Sequence, residues 1–373
     1  MASDPRGASI IDAQSLADGP AGAALLAVER GENPRPWLAE MAAAPIMAHP
    51  DDVSLFDGAP AVAFTLVATP HTRALSILDE QVDAITRARL DAAHRRIDGG
   101  ALPAKREFDV IAGLTGLGAY LLRRYDGGGL LRDVLAYLVR LTEPHAYGLP
   151  GWWALDAPTG PGLGWEGGHG NLGMAHGITG PLALLALAMR RGVVVDRQAD
   201  AMRRICVWLD QFRGGTSSRN WWPEALTRAD HDHGRVPKDG PYRPSWCYGT
   251  PGIAYAQHLA GLALDDQQRQ RLALDALTWC VTDETQLAHV QDVSLCHGWA
   301  GLVYIAWRAG AHDHRIRAAV PRLLGGLTTA LRQQAPRERG LLVGETGALL
   351  AQHAVTADTP PVTQWDACLL LNH

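Results

Sequence analysis

The stretches "PSWCYGTPGIAYA", from Pro244, and "SLCHGWAGLVYIA", from Ser294, each set a cysteine two residues before a Gly-x-x-Gly. Cys247 and Cys296 are two of only five cysteines in 373 residues, and His297 follows the second directly. Two thiolates and an imidazole form a soft, nitrogen-containing donor set that suits Zn2+. Three protein ligands leave the fourth tetrahedral position open, as catalytic zinc sites do, and no Cys-x-x-Cys supplies a closed zinc ribbon. Cys206, Cys280 and Cys368 lie outside this pattern and read as buried small hydrophobes.

Both stretches belong to a unit that recurs along the chain. Its Gly-x-x-Gly pairs are Gly19/Gly22, Gly113/Gly116, Gly177/Gly180, Gly249/Gly252, Gly298/Gly301 and Gly344/Gly347. A seventh copy carries Gly58 with Ala61 in the second place. Each copy runs into an alanine-rich apolar stretch of helical character. Amphipathic segments such as "RLDAAHRRI" and "QQRQRLALDALTWCV" lie between, with apolar residues at three-to-four spacing. The unit is therefore a helical hairpin, with the glycines at the start of one helix. A run apolar all round belongs to a helix buried on both sides. The predicted fold is all-α, an α/α toroid of seven hairpins with the glycine helices inside, over residues 1–373 as one domain. An open solenoid would need polar capping repeats.

Aligning the copies on the first glycine puts Ala17, Phe56, Ile111, Ala175, Cys247, Cys296 and Leu342 two positions before it. One position before it are Asp18, Asp57, Ala112, His176, Tyr248, His297 and Val343. Equivalent positions in a ring form a rim at one mouth, so Cys247 and Cys296 meet on adjacent hairpins, with His297 beside them and His176 on the same rim. His176 is a candidate acid–base group or a core histidine bonded to a carbonyl. Asp109 lies four residues before Gly113 and Arg243 six before Gly249, both on loops feeding that face. Asp109 also reads as a helix cap, Arg243 as a surface charge, and Tyr248 as aromatic packing. Long inserts rich in Gly, Pro and Trp, at about 145–170 and 213–245, either line a binding groove or pack the rim.

A formal charge of −5 gives no electrostatic case for nucleic acid or an anionic membrane. No apolar run approaches the roughly 20 residues of a membrane span, and the N-terminus lacks a secretory pattern, so a cytoplasmic protein with free thiols is expected.

With "SLADGPAG", "FDVIAGLTGLGAYL", "NLGMAHGITGPLALL", "RPSWCYGTPGIA", "LCHGWAGL" and "GLLVGETGALL" in place, the sequence resembles the lanthipeptide cyclases, the LanC-like family, over essentially its whole length. The resemblance implies a toroid with one zinc in its mouth, held by Cys247, Cys296 and His297. It also implies His176, Asp109, Arg243 and Tyr248 as catalytic residues. The implied reaction adds a cysteine thiol of a dehydrated precursor peptide to dehydroalanine or dehydrobutyrine, closing a thioether ring. The substrate would come from a partner dehydratase, and no dehydratase domain precedes this chain, which looks like a stand-alone cyclase.

Enolate formation after thiol attack requires a stabiliser and a proton donor. Arg243 suits the first role, while His176, tuned by Asp109, or Tyr248 suits the second. Alternatives are a non-catalytic LanC-like scaffold that binds peptides, and a relative that adds glutathione to dehydroamino acids. A zinc prenyltransferase on an α/α toroid fits the paired cysteine registers poorly. A carboxylate-pair glycosidase fits worse, because the rim concentrates metal ligands.

Overall fold

The computed structural model describes residues 10–125, 127–158, 164–216, 218–333 and 339–372. Thirteen helices of seven or more residues alternate between two layers. The inner ones are α1 (Pro20–Glu29), α3 (Ala59–Leu66), α5 (Leu114–Arg124), α7 (Thr179–Arg190), α9 (Thr250–Ala263), α11 (Trp299–Ala309) and α13 (Glu345–Ala357). The outer ones are α2 (Arg35–Met41), α4 (Thr72–Asp98), α6 (Gly129–Leu141), α8 (Gln198–Gln211), α10 (Gln267–Thr282) and α12 (His314–Gln333). Each inner helix packs on the next, and α13 packs on α1, so the inner layer is a closed ring. None of these helices is long and apolar enough to cross a membrane.

The two layers are built from different patterns. Every residue of α9 from Thr250 to Gly261 is buried, as a helix walled on both sides requires. On α6 the buried side chains include Leu130, Leu131, Val134, Leu135 and Leu138, the inward stripe of an amphipathic helix. The first glycine of five units is the extended N-cap, and Pro20 and Pro251 occupy first-turn positions where their missing N–H costs no bond. The second glycine lets the incoming loop lie on its own helix. A Cβ at Gly252 would strike the Trp246 carbonyl, and one at Gly347 the Leu341 carbonyl. The copy with Ala61 takes a different turn, with Gly58 at φ +68, a left-handed value that favours glycine.

The loops that enter the inner helices are stitched into a rim by main-chain hydrogen bonds. Leu16 N–H donates to Phe56 (2.7 Å), Val110 to Ala175 (3.0 Å), Cys247 to Cys296 (3.1 Å), Cys296 to Leu342 (2.9 Å) and Leu342 to Ala17 (3.0 Å). The Cys247 carbonyl in turn accepts from Met174 (2.8 Å). These bonds set the starts of all seven inner helices at one mouth. Between the second and third units the stitch is a side chain: Arg89, on α4, donates to the carbonyls of Pro50 (2.8 Å), Val53 (2.6 Å) and Ala112.

Two features depart from a ring of seven identical hairpins. First, α13 has no outer helix after it among the described residues. Pro360 and Pro361 cannot continue a helix, and the chain turns into the ring instead. There Trp365, Ala367, Cys368, Leu369, Leu370 and Leu371 are fully buried. Trp246 donates to the Leu369 carbonyl (3.1 Å), Tyr255 to that of Leu371 (3.1 Å) and Tyr304 to the Asp366 carboxylate (2.8 Å). Second, the long inserts contain short strands. β1 (His169–Asn171) pairs antiparallel with β4 (Ala225–Thr227), and β2 (Gly214–Thr216) with β3 (Arg219–Trp221). The β1–β4 pair joins one insert to the other beside the mouth. Trp153, Trp221, Trp222 and Trp246 are buried and pack the rim, while Trp152 lines a cavity of about 400 Å³ with Trp208 and His231, and Trp165 is half-buried.

Candidate metal centre and active site

Cys247, Cys296 and His297 each offer a ligand atom, and these atoms lie within 4.8 Å of one another. Cys247 is buried; Cys296 and His297 are half-buried at the mouth. Three donors each about 2.0–2.3 Å from one ion require this closeness, and sulfur with nitrogen is the set zinc takes. The Cys296 thiol donates toward Cys247, and His297 and Ser245 add to the effect. The Cys247 thiol is thereby pulled well below its ordinary value and that of Cys296 pushed up. The ends of the inner helices that point here carry the positive pole of the helix dipole, which also favours thiolate. Cys206, Cys280 and Cys368 are buried away from this cluster, and burial pushes their thiols up.

His176 lies on the same rim. Its Nδ1 is 2.6 Å from Asp109 Oδ2, with Asp109 fully buried and the imidazole about 30% exposed. A buried carboxylate on Nδ1 keeps the proton there and leaves Nε2 toward the mouth. The other carboxylate oxygen, Oδ1, accepts from Ala112 N–H (2.7 Å). In other units the same capping bond is made by serine: Ser15 to Asp18 N–H, Ser245 to Tyr248 N–H and Ser294 to His297 N–H. Asp109 is thus both a loop cap and the partner of His176, and its second oxygen is what the third unit gains over the serines.

Tyr248 stands between the two groups, its ring 6.1 Å from that of His176. It packs against Gly173, where any Cβ would strike the ring. Asn171 Nδ2 lies 3.4 Å from the phenolic oxygen, and burial pushes the hydroxyl up to about 12. Arg243 is exposed and makes no ion pair among the described residues, yet its charge is felt at Cys296 and at Glu224. The seven residues singled out in the sequence therefore gather at one mouth.

Three neighbours were not anticipated. Asn171 and Asp292 lie six residues before the first glycine of their units, the register that holds Arg243 in the unit between them. Each closes its loop alike, Asn171 Oδ1 accepting from Gly173 N–H (2.9 Å) and Asp292 Oδ1 from Ser294 N–H (2.8 Å). Glu224, from the insert, is a half-buried carboxyl raised by burial and by Cys247. It reaches the site because its carbonyl accepts from Leu172 N–H, extending the β1–β4 ladder.

A family model described as "Lanthionine synthetase C-like protein" matches residues 12–370. The chain belongs to that family. It is 24% identical over 265 residues to the nisin biosynthesis protein NisC of Lactococcus lactis subsp. lactis, an alignment covering 68% of this chain and 61% of that relative. The solved structure of nisin cyclase superposes with a TM-score of 0.80 at 21% identity, covering 97% of this chain and 93% of the other. That agreement gives the family's fold to the ring described above.

Proposed function

We propose that this protein is a zinc-dependent lanthionine cyclase. It would add cysteine thiols of a dehydrated precursor peptide to dehydroalanine or dehydrobutyrine, acting in the cytoplasm after a partner dehydratase, with residues 1–373 working as one domain. The observation that carries the proposal is the Cys247–Cys296–His297 cluster sharing a mouth with the His176–Asp109 pair. Similarity to NisC supports the substrate class.

Zinc held by Cys247, Cys296 and His297 would supply a Lewis acid that makes a peptide thiol nucleophilic at neutral pH. The sulfur lone pair forms the S–C bond at the β-carbon, and the C=C electron pair moves toward the α-carbon and its carbonyl oxygen. Arg243, exposed at the mouth with its charge also felt at Glu224, would face the developing negative oxygen. His176 Nε2 takes up the proton that the thiol loses and, as an imidazolium held by the Nδ1–H bond to Asp109, returns it to the α-carbon. Tyr248 stays protonated across the working range and donates a hydrogen bond into the mouth.

The test pairs zinc analysis of the purified protein and of its Cys247→Ala and Cys296→Ala variants with cyclisation of a dehydrated peptide. One zinc per chain, lost in both variants along with thioether formation, is expected. Zinc with no turnover would favour a peptide-binding scaffold, and adducts formed only with glutathione would favour the glutathione-adding enzyme. A wild-type protein without affinity for zinc overturns the proposal.

A further inference from the structure

The loop carrying Cys296 and His297 is fixed at both ends by one residue, Asp292. Asp292 Oδ1 accepts from Ser294 N–H at 2.8 Å, and its main-chain carbonyl accepts from Trp299 N–H at 2.9 Å. Gly298 lies so close that a Cβ there would strike Asp292 Oδ1, so the carboxylate is locked in place by main chain. The remaining oxygen, Oδ2, is 3.4 Å from His297 Nε2, with both side chains largely shielded from solvent.

We propose that Asp292 is a positioning residue that sets the tautomer of His297, holding the ring proton on Nε2 so that Nδ1 presents its lone pair to the two sulfurs. A neutral imidazole carries one proton, and the nitrogen that faces a carboxylate keeps it. Carboxylates behind metal-bound histidines fix ring orientation and raise ligand basicity in this way. The repeat holds an equivalent position elsewhere. Asn171 holds the same register two units earlier, makes the same turn, and turns its free amide nitrogen toward Tyr248. Register six thus supplies a second tier of groups behind the rim residues.

The inference rests on the metal reading above, and Asp292→Asn separates the two. The amide oxygen keeps the Ser294 bond, so thermal unfolding should match wild type. The amide NH2 in place of Oδ2 faces Nε2 with a donor and favours the opposite tautomer. Competition with a chromophoric chelator should show zinc held about 10- to 100-fold more weakly. 15N NMR of the zinc-free protein, at a pH where the ring is neutral, should show the His297 proton on Nε2 in wild type and moved toward Nδ1 in the variant. Zinc affinity within about twofold of wild type, or a wild-type proton on Nδ1, overturns the assignment. A wild-type protein that binds no zinc overturns the metal reading itself, and the NMR arm still reports the tautomer.

Discussion

Asp109 and His176 come from successive units of the ring and meet at 2.6 Å, with the carboxylate fully buried and the imidazole at the mouth. Because serine makes the same cap elsewhere, Asp109→Ser restores the ordinary loop and deletes only the contact to His176. Stability should change by about 1 kcal/mol or less, while cyclisation slows by about 10^2- to 10^4-fold, the range general acid–base catalysis supplies. Urea unfolding and single-turnover cyclisation measure the two effects. Equal rates for variant and wild type would remove the pair from the mechanism.

The Tyr248 hydroxyl, pushed up to about 12 by burial, cannot be the base of a neutral-pH reaction. Tyr248→Phe should lower the rate without moving either limb of the pH–rate profile below pH 10. A displaced limb would mean that the phenol titrates during turnover.

Arg89 closes the one rim junction that lacks a main-chain bond. Arg89→Met leaves the carbonyls of Pro50, Val53 and Ala112 without that donor, at about 1–3 kcal/mol for each one that water does not reach. A loss of at least about 2 kcal/mol in denaturant unfolding is expected. A loss under about 0.5 kcal/mol would show that the junction is held by packing alone.

Gly252→Ala forces the Trp246 carbonyl, and with it the Cys247 loop, away from α9. A cost of about 1–3 kcal/mol and weaker zinc retention are expected. Gly240→Ala, where the new Cβ meets nothing within 4 Å, is the matched control and should be silent.

His169 and His258 are buried with no hydrogen-bond partner on either ring nitrogen. Burial holds His169 at about 4 and His258 at about 3; His312 and Arg190 depress His258 further and Asp313 opposes them. Both rings stay neutral in the fold, whereas the unfolded chain takes up a proton on each near pH 6.5. Stability present above that pH is therefore lost as pH falls toward the folded values, at about 1.4 kcal/mol per pH unit for each ring. Denaturant midpoints at pH 7.5 and 5.0 should diverge, and His258→Phe should narrow the gap. An unchanged gap would locate the acid sensitivity elsewhere.

Much of this site was legible because the chain repeats. Counting back from each first glycine placed Cys247, Cys296, His297, His176 and Tyr248 on one rim without coordinates. The same count made at six residues would have found Asn171 and Asp292 beside Arg243. Glu224 and Arg89 carried no such signal, since each reaches its place through a partner in another segment. Glu224 depends on pairing between two inserts, and Arg89 on a gap in a stitch visible only after folding. The short strands were hidden for the same reason, as three residues pair by tertiary context more than by propensity. The tryptophans marked the right segments, but composition alone could not say whether their rings faced a ligand or the core.

The bond from Leu342 to Ala17 closes the ring between opposite ends of the described chain, and Cys296 hangs directly from Leu342. A nascent chain can stack its first hairpins as they emerge from the ribosome, but it cannot close the mouth until residue 342 is free. The closing contact joins residues far apart in sequence, so closure comes late in folding. Capture of the proposed metal would then follow translation, with the thiols of Cys247 and Cys296 unligated for as long as that closure takes.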